Sequence, residues 1–341
     1  MKKIIITPLF LFLMIGMVIG QQEEITKYTE IDLKIKDKWV RSNDAIEIAE
    51  EITLDYDDEE QKVRAIFVWI TENMEYSLGI KADRKSNRSK RRIKSRDPEE
   101  KAELELELKE DDLKTALKAR GGIEADYSYL FMKMCEAVDI EAGEITGYLR
   151  RSQRKVGKMP RRPDHKWNWA KINGKKYLFD TMLASGSVEK NKETKQTEFV
   201  KKFNDIYFMT PSDIMILNHY PEDEKFQLLD EVVSKETFAN YPFILGGYKD
   251  SKIEEFLPMK GLIALSETEI VFKLKFRDNE IPNRIMIHER RKMSEQEFVR
   301  DGDYFICTYK IPEARPRSLR IVIKGSKLYE HEALIYVLGS E

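Results

Sequence analysis

Residues 164–182 read DHKWNWAKINGKKYLFDTM, and the local fold turns on how this stretch is paired. Asn173-Gly174, flanked by two runs of alternating apolar and polar residues, is the signature of a two-residue type I′ turn. Such a loop pairs Ile172 with Lys175, so His165 faces Met182. Asp180 then lies two residues from that partner on the same face, and diagonal neighbours of this kind are within reach of long side chains. The carboxylate can therefore fix the tautomer and orientation of the imidazole, as the acid of a catalytic triad does. The same spacing also fits a His and an Asp that merely adjoin at a strand edge. Trp167 and Trp169 share the face of His165, where they either shield a cleft or fill a core.

Upstream, residues 116–131 read ALKARGGIEADYSYLF. Tyr127, Leu130, Phe131, Met134 and Val138 fall on one face of a helix that Gly121-Gly122 open. Glu124 stands near its N-terminus. A cysteine there would be activated by the positive helix end and a nearby imidazole. A glutamate there is stabilised by roughly 0.3–1 kcal/mol for the same dipolar reason. Cys135 lies about three turns further along, on the apolar face, and belongs to the core.

Together these segments resemble the transglutaminase-like family, of the papain-like class, and in particular its kyphoscoliosis-peptidase-type members. GIEADYSYLF resembles the family's helix start, GEITGY the strand after it, HKWNWAKINGKKYLFD its His-to-Asp hairpin and AIFVWITENMEYS its opening helix. The resemblance covers about residues 44–230. It implies His165 as base and Asp180 as orienting acid. The nucleophile's position, three before Tyr127, holds Glu124. The chain also reads DTMLASG where the family has D-x-T-W. A carboxylate is a poor acyl-transfer nucleophile and would give an anhydride, so papain-type acyl transfer is not expected.

Working outward, Asp44 followed by Glu47 has capping-box spacing ahead of Ile46, Ile48 and Ile52. Val63, Ile66, Phe67 and Ile70 mark a second amphipathic helix. Residues 81–96 are almost purely basic and 97–112 almost purely acidic, the pattern of a solvated insertion or arm whose blocks pair with each other. From about residue 255, short alternating runs (EIVFKLKF, NRIMIHER, DYFICTYKI, SLRIVIKG, EALIYVLG) predict a β-sandwich. The fold class expected is α+β, a papain-like transglutaminase core of helices on an antiparallel sheet, then a C-terminal antiparallel sandwich. The domains expected are a signal peptide over 1–20, the core over 21–230 with its charged insertion at 81–112, and an Ig-like sandwich over 231–341.

The signal peptide is read from MKK, the apolar run to Gly20 and the abrupt polar turn at Gln21. It places the protein outside the cell or in a periplasm, with no membrane span after cleavage. Lys+Arg 59 against Asp+Glu 61 gives a net charge of −2, which argues for no nucleic-acid partner. Cys135 and Cys307 read as two free buried thiols. His219, His288 and His331 have no metal-ligand spacing, and neither a cofactor nor a metal is called for.

The function expected is a catalytically inactive, transglutaminase-like module holding a peptide, protein or cell-envelope ligand. Tyr127, Trp167, Arg161 and Arg162 are its candidate ligand contacts, and the basic loop 147–165 is a possible guide for acidic ligands. The alternative is a divalent-metal-binding or hydrolytic enzyme built on Glu124, His165 and Asp180.

Overall fold

The computed structural model describes residues 27–339 apart from 88, 160, 249–250, 278–283, 290–291 and 325–329. The signal-peptide expectation lies outside these residues.

Helices α1 (Thr29–Lys36), α2 (Ala45–Thr53) and α3 (Glu59–Asn73) open the chain. Asp44 caps α2 as its spacing predicts, accepting from the backbone N–H groups of Ile46 and Glu47. Ile46 is 45% exposed, so the buried stripe of α2 runs through Ala45, Ile48, Ala49 and Ile52 instead. Helix α3 is buried all round from Val63 to Thr71, which the one-faced pattern does not foretell. Its interior cation, Arg64, is 1% exposed and is paired with Asp32 of α1 and with Asp205. That pairing is what lets a charged side chain sit inside a helical core.

A short strand β1 (Glu75–Tyr76) follows, then α4 (Leu78–Ser86) and α5 (Pro98–Ala119). The charged blocks are thus largely helical, and they do pair with each other: Arg84 and Arg91 both reach Asp112. Strand β2 (Gly121–Gly122) pairs with β1 in parallel and delivers the chain into α6 (Glu124–Glu136). Helix α6 packs on strands β3 (Ala142–Leu149) and β4 (His165–Ile172), with β5 (Lys175–Phe179) completing the hairpin. Ile172 pairs with Lys175 and Asn168 with Phe179, the register that the Asn-Gly turn dictates.

After β5 come helix α7 (Thr181–Ser185) and a hairpin of β6 (Gly186–Lys190) with β7 (Thr197–Lys201). A short helix α8 (Ser212–Met215) precedes strand β8 (His219–Pro221), which adds to β3. The resulting antiparallel sheet has the order β5-β4-β3-β8. Its helical side is a single core built from α1–α3, α5 and α6.

Past helix α9 (Lys235–Asn240) and strand β9 (Phe243–Ile244), two sheets follow. Strands β10 (Ile253–Leu257), β12 (Glu269–Phe276), β15 (Val299–Asp301) and β16 (Tyr304–Lys310) form the first, in the order β10-β12-β16-β15. The second contains β11 (Leu262–Ala264), β13 (Arg284–Glu289), β14 (Lys292–Glu295), β17 (Ser318–Lys324) and β18 (Glu330–Gly339), with β9 added on β18. Inward residues of both, such as Phe272 and Leu274 against Ile287 and Ile321, share one core. Two faces joined in this way make a sandwich. One pair departs from the antiparallel expectation, since β11 runs parallel to β18. The sandwich core also takes in Tyr148, Ile216, Leu217 and Tyr220, so the two halves of the chain are packed together around β8.

Candidate functional site

The start of α6 is built by backbone constraint. A Cβ on Gly122 would lie 2.8 Å from the Cβ of Asp126, so only glycine fits there. Asp126 turns back to accept from the Ile123 N–H at 2.8 Å and from Arg84 at 2.8 Å. Burial raises its carboxyl above the ordinary value even so. This arrangement fixes Glu124 at the first turn, 8% exposed.

One oxygen of the Glu124 carboxylate gathers three donors. Its Oε1 accepts from Tyr76 Oη at 3.0 Å, Lys81 Nζ at 3.1 Å and Arg151 Nη2 at 3.3 Å. Burial pushes its pKa up, but its own backbone N–H, Lys81 and the nearby His165 outweigh that, and the carboxyl is held below its usual value. Lys81 also hydrogen-bonds Tyr76 Oη, so the three groups form one closed knot.

The opposite wall is the His165 strand. His165 Nε2 lies 2.5 Å from Asp180 Oδ2. The expected partner Met182 is not reached, because β5 ends at Phe179 and Asp180 caps α7 with its Oδ1 on the Leu183 N–H. The chain's turn into this helix is what brings the carboxylate under the imidazole. A second imidazole, His219 of β8, places Nε2 3.0 Å from the same Asp180 oxygen. An ionised carboxylate only accepts, so both rings donate from Nε2, and His165 presents the bare Nδ1 on its other edge. Burial would raise the Asp180 carboxyl, but the two imidazoles hold it far below the ordinary range. His219, fully enclosed, is shifted down by burial against the pull of Asp180.

Gly147 makes this crowding possible. It pairs with His165 on one side and Pro221 on the other, and a Cβ would come within 2.3 Å of the Tyr220 carbonyl and 2.5 Å of the Trp167 ring. Trp167 stacks on His165 at 6.1 Å and meets His219 edge-on at 5.2 Å.

Between the two walls stands Arg151. Its Nη2 is 3.3 Å from Glu124 Oε1 and 3.4 Å from His165 Nδ1, and Asp164 steadies the guanidinium at 2.9 Å. His165 and Asp180 thus meet as the hairpin spacing predicts, and Glu124 stands across from His165 with a guanidinium nitrogen spanning the two.

Several expectations are corrected. Tyr127 and Trp167 are each 1% exposed, so both belong to packed interior and offer no ligand surface. Arg161 and Arg162 are exposed, but they line a separate cavity on the loop before β4. A metal held jointly by Glu124, His165 and Asp180 does not fit, because His165 turns Nε2 to Asp180 and the opposite edge to Glu124. Among the described residues, the cluster with metal-ligand proximity is His165, Asp180 and His219, whose ligand atoms lie within 4.8 Å of one another. His219 has no spacing signal in the sequence, and only the pairing of β8 with β3 reveals it. Lys81 and Arg151 lie inside stretches that read as solvated charge. Both thiols are free and buried as expected, and enclosure pushes the Cys135 thiol up.

Residues 46–180 match the family model described as the transglutaminase-like superfamily, a span that includes Glu124 and His165 and ends on Asp180. The chain carries a transglutaminase-like domain. Kyphoscoliosis peptidase of Mus musculus and that of Homo sapiens are each 25% identical to it over 181 residues, 53% of this chain. The aligned region spans only 23% of each of those relatives. A solved structure of a proposed cysteine protease from Cytophaga hutchinsonii is 21% identical, covering 47% of this chain and 43% of its own, at a TM-score of 0.26. No helix among the described residues is long and apolar enough to cross a membrane.

Proposed function

We propose that the chain is an exported transglutaminase-like protein in which Glu124 occupies the nucleophile's position. In this reading it holds a peptide or cell-envelope ligand without acyl transfer. The observation that carries the reading is the state of Glu124, neutralised by Lys81 and Arg151 and separated from His165 Nδ1 by the Arg151 guanidinium. A base whose lone pair already accepts a hydrogen bond, facing a carboxylate already ion-paired, has no thiol to deprotonate. Export, to a periplasm or beyond the cell, is supported by the N-terminal sequence alone.

A second reading, a metal-dependent or hydrolytic enzyme, has support in the buried His165–Asp180–His219 cluster, which matches a two-His, one-carboxylate donor set. One assay tests both. The wild-type chain is incubated with an N-acylated Gln-Gly dipeptide and a primary amine, with and without added zinc, and ammonia release is followed. The proposal expects none in either arm. Release in the metal-free arm refutes it, and release only with zinc installs the second reading.

A further inference from the structure

A cavity of about 650 Å³ lies beside the site, under the loop that joins β3 to β4. Its floor is Tyr148, Leu149 and Phe238, and its walls carry Lys155, Lys158, Arg161 and Arg162. These four cations are exposed and make no side-chain hydrogen bond or ion pair with any described residue. The cations of the neighbouring site, Lys81 and Arg151, are by contrast paired with acids.

A fifth charge lies deeper. Arg150 is 4% exposed at the cavity wall. Among the described residues its guanidinium donates only to backbone carbonyls, such as Tyr241 O at 2.7 Å and Pro242 O at 3.0 Å, and its buried Nε has no hydrogen-bond partner. Carbonyl dipoles do not cancel a unit charge, and burial alone brings this arginine down to about 10, so it stays cationic at neutral pH. The one acid on the wall, Asp164, is already engaged by Arg151 at 2.9 Å and by the Leu149 N–H at 3.0 Å. At the rim, Lys235 hydrogen-bonds Tyr148 Oη at 2.8 Å and adds a further cation.

A concave surface lined by one sign of charge, with a low-dielectric floor, focuses potential and concentrates counter-ions. The volume falls in the range of small-molecule sites, roughly 300–1,000 Å³. Arginine and lysine together fit paired oxyanion groups, the guanidinium by bidentate contact and the ammonium as a point charge. We infer that this basin is a binding site for a multiply charged anion bearing phosphate or carboxylate groups. It is distinct from the Glu124–His165 pair, neither of which lines the cavity, and it stands whether or not that pair has catalytic activity.

The test is titration calorimetry of the full chain with pyrophosphate and, separately, citrate, at about 25 mM and about 250 mM salt. Three proteins are compared: wild type, Arg161→Gln/Arg162→Gln, and Lys190→Gln/Lys192→Gln on the exposed β6–β7 hairpin, with melting curves to confirm folding. At low salt at least one anion should bind the wild type. The basin variant should bind it about ten-fold more weakly or worse, while the hairpin variant changes less than about two-fold. High salt should narrow that gap. Pyrophosphate and citrate separate phosphate from carboxylate ligands, and either one giving this pattern upholds the site. Absence of binding by both, or equal weakening in the two variants, overturns it.

Discussion

Replacing Glu124 by cysteine turns the site's electrostatics into a measurable thiol pKa. The introduced sulfur would stand at the first turn of α6, with Lys81, Arg151 and the edge of His165 around it. A charge pair at 4 Å is worth about 4 kcal/mol at an effective dielectric of about 20. The Lys81 and Arg151 side chains are 51% and 41% exposed, and the shorter cysteine draws back from both, so about 1 kcal/mol each is the appropriate scale. The helix end adds about 0.5 kcal/mol. At 1.36 kcal/mol per unit these favour the thiolate by nearly 2 units, of which burial takes back roughly 1. The thiol should then titrate near 7.5, about one unit below the reference of about 8.5. The assay is the pH profile of iodoacetamide alkylation. The wild type serves as the blank, because Cys135 and Cys307 are buried and their thiols are raised. Adding Arg151→Gln should move the midpoint up by about 0.7 unit. A midpoint at or above 8.5, or one indifferent to Arg151, would refute the claim that these cations act on position 124.

Further outcomes are expected elsewhere in the structure. His219 is depressed in the folded state, so its contribution to stability is present above the unfolded value of about 6.5 and is lost as pH falls below it. The melting temperature should therefore drop between pH 7 and 5, and His219→Gln, which keeps a donor for Asp180, should show a shallower drop. Asp180→Asn removes the charged acceptor of two buried imidazole donors and should cost about 3 kcal/mol in urea denaturation at pH 7. Gly147→Ala forces a Cβ against the Tyr220 carbonyl and should cost about 1–3 kcal/mol by the same measurement. Arg64→Leu takes away the cation of Asp32, and should cost about 3 kcal/mol, the low end for a broken buried pair because that acid keeps partial solvation.

The His165–Asp180 contact was legible because a two-residue hairpin leaves no freedom of register: once Asn173-Gly174 is taken as the turn, every pairing to Phe179 follows. Where the reading erred, at Met182, the chain had left the sheet for a helix whose N-cap is the acid itself. Local pattern does not say where a strand ends when the capping residue is also the functional one. The five long C-terminal strands were equally plain, since one face of each meets the sandwich core. The parallel addition of β11 was hidden, because three residues carry no direction signal. His219 was invisible for a related reason. It acts through the pairing of β8 with β3, a contact between segments some seventy residues apart that no spacing rule connects.

The charge runs show the sharper limit. Lys81 opens a basic block and Arg151 belongs to a loop of similar composition, and nothing in the sequence of either stretch distinguishes these two from their neighbours. Their role comes from position alone: Lys81 lies on α4 just after β1, whose parallel partner β2 delivers α6, so its ammonium is carried to Glu124. Arg151 follows Leu149 off the end of β3, beside the strand that starts at His165. A cation supplied from each side is what a buried carboxylate at position 124 requires, for an unpaired one would cost several kcal/mol or take up a proton. The glutamate and its two cations are thus one arrangement, and exchanging Glu124 for a neutral residue takes the acid from Lys81 and leaves Arg151 with Asp164 alone. Glu124→Gln should accordingly destabilise the fold, and adding Arg151→Gln should recover part of that loss. Strict additivity of the two substitutions in a double-mutant cycle of denaturation free energies would show that the three charges do not act together.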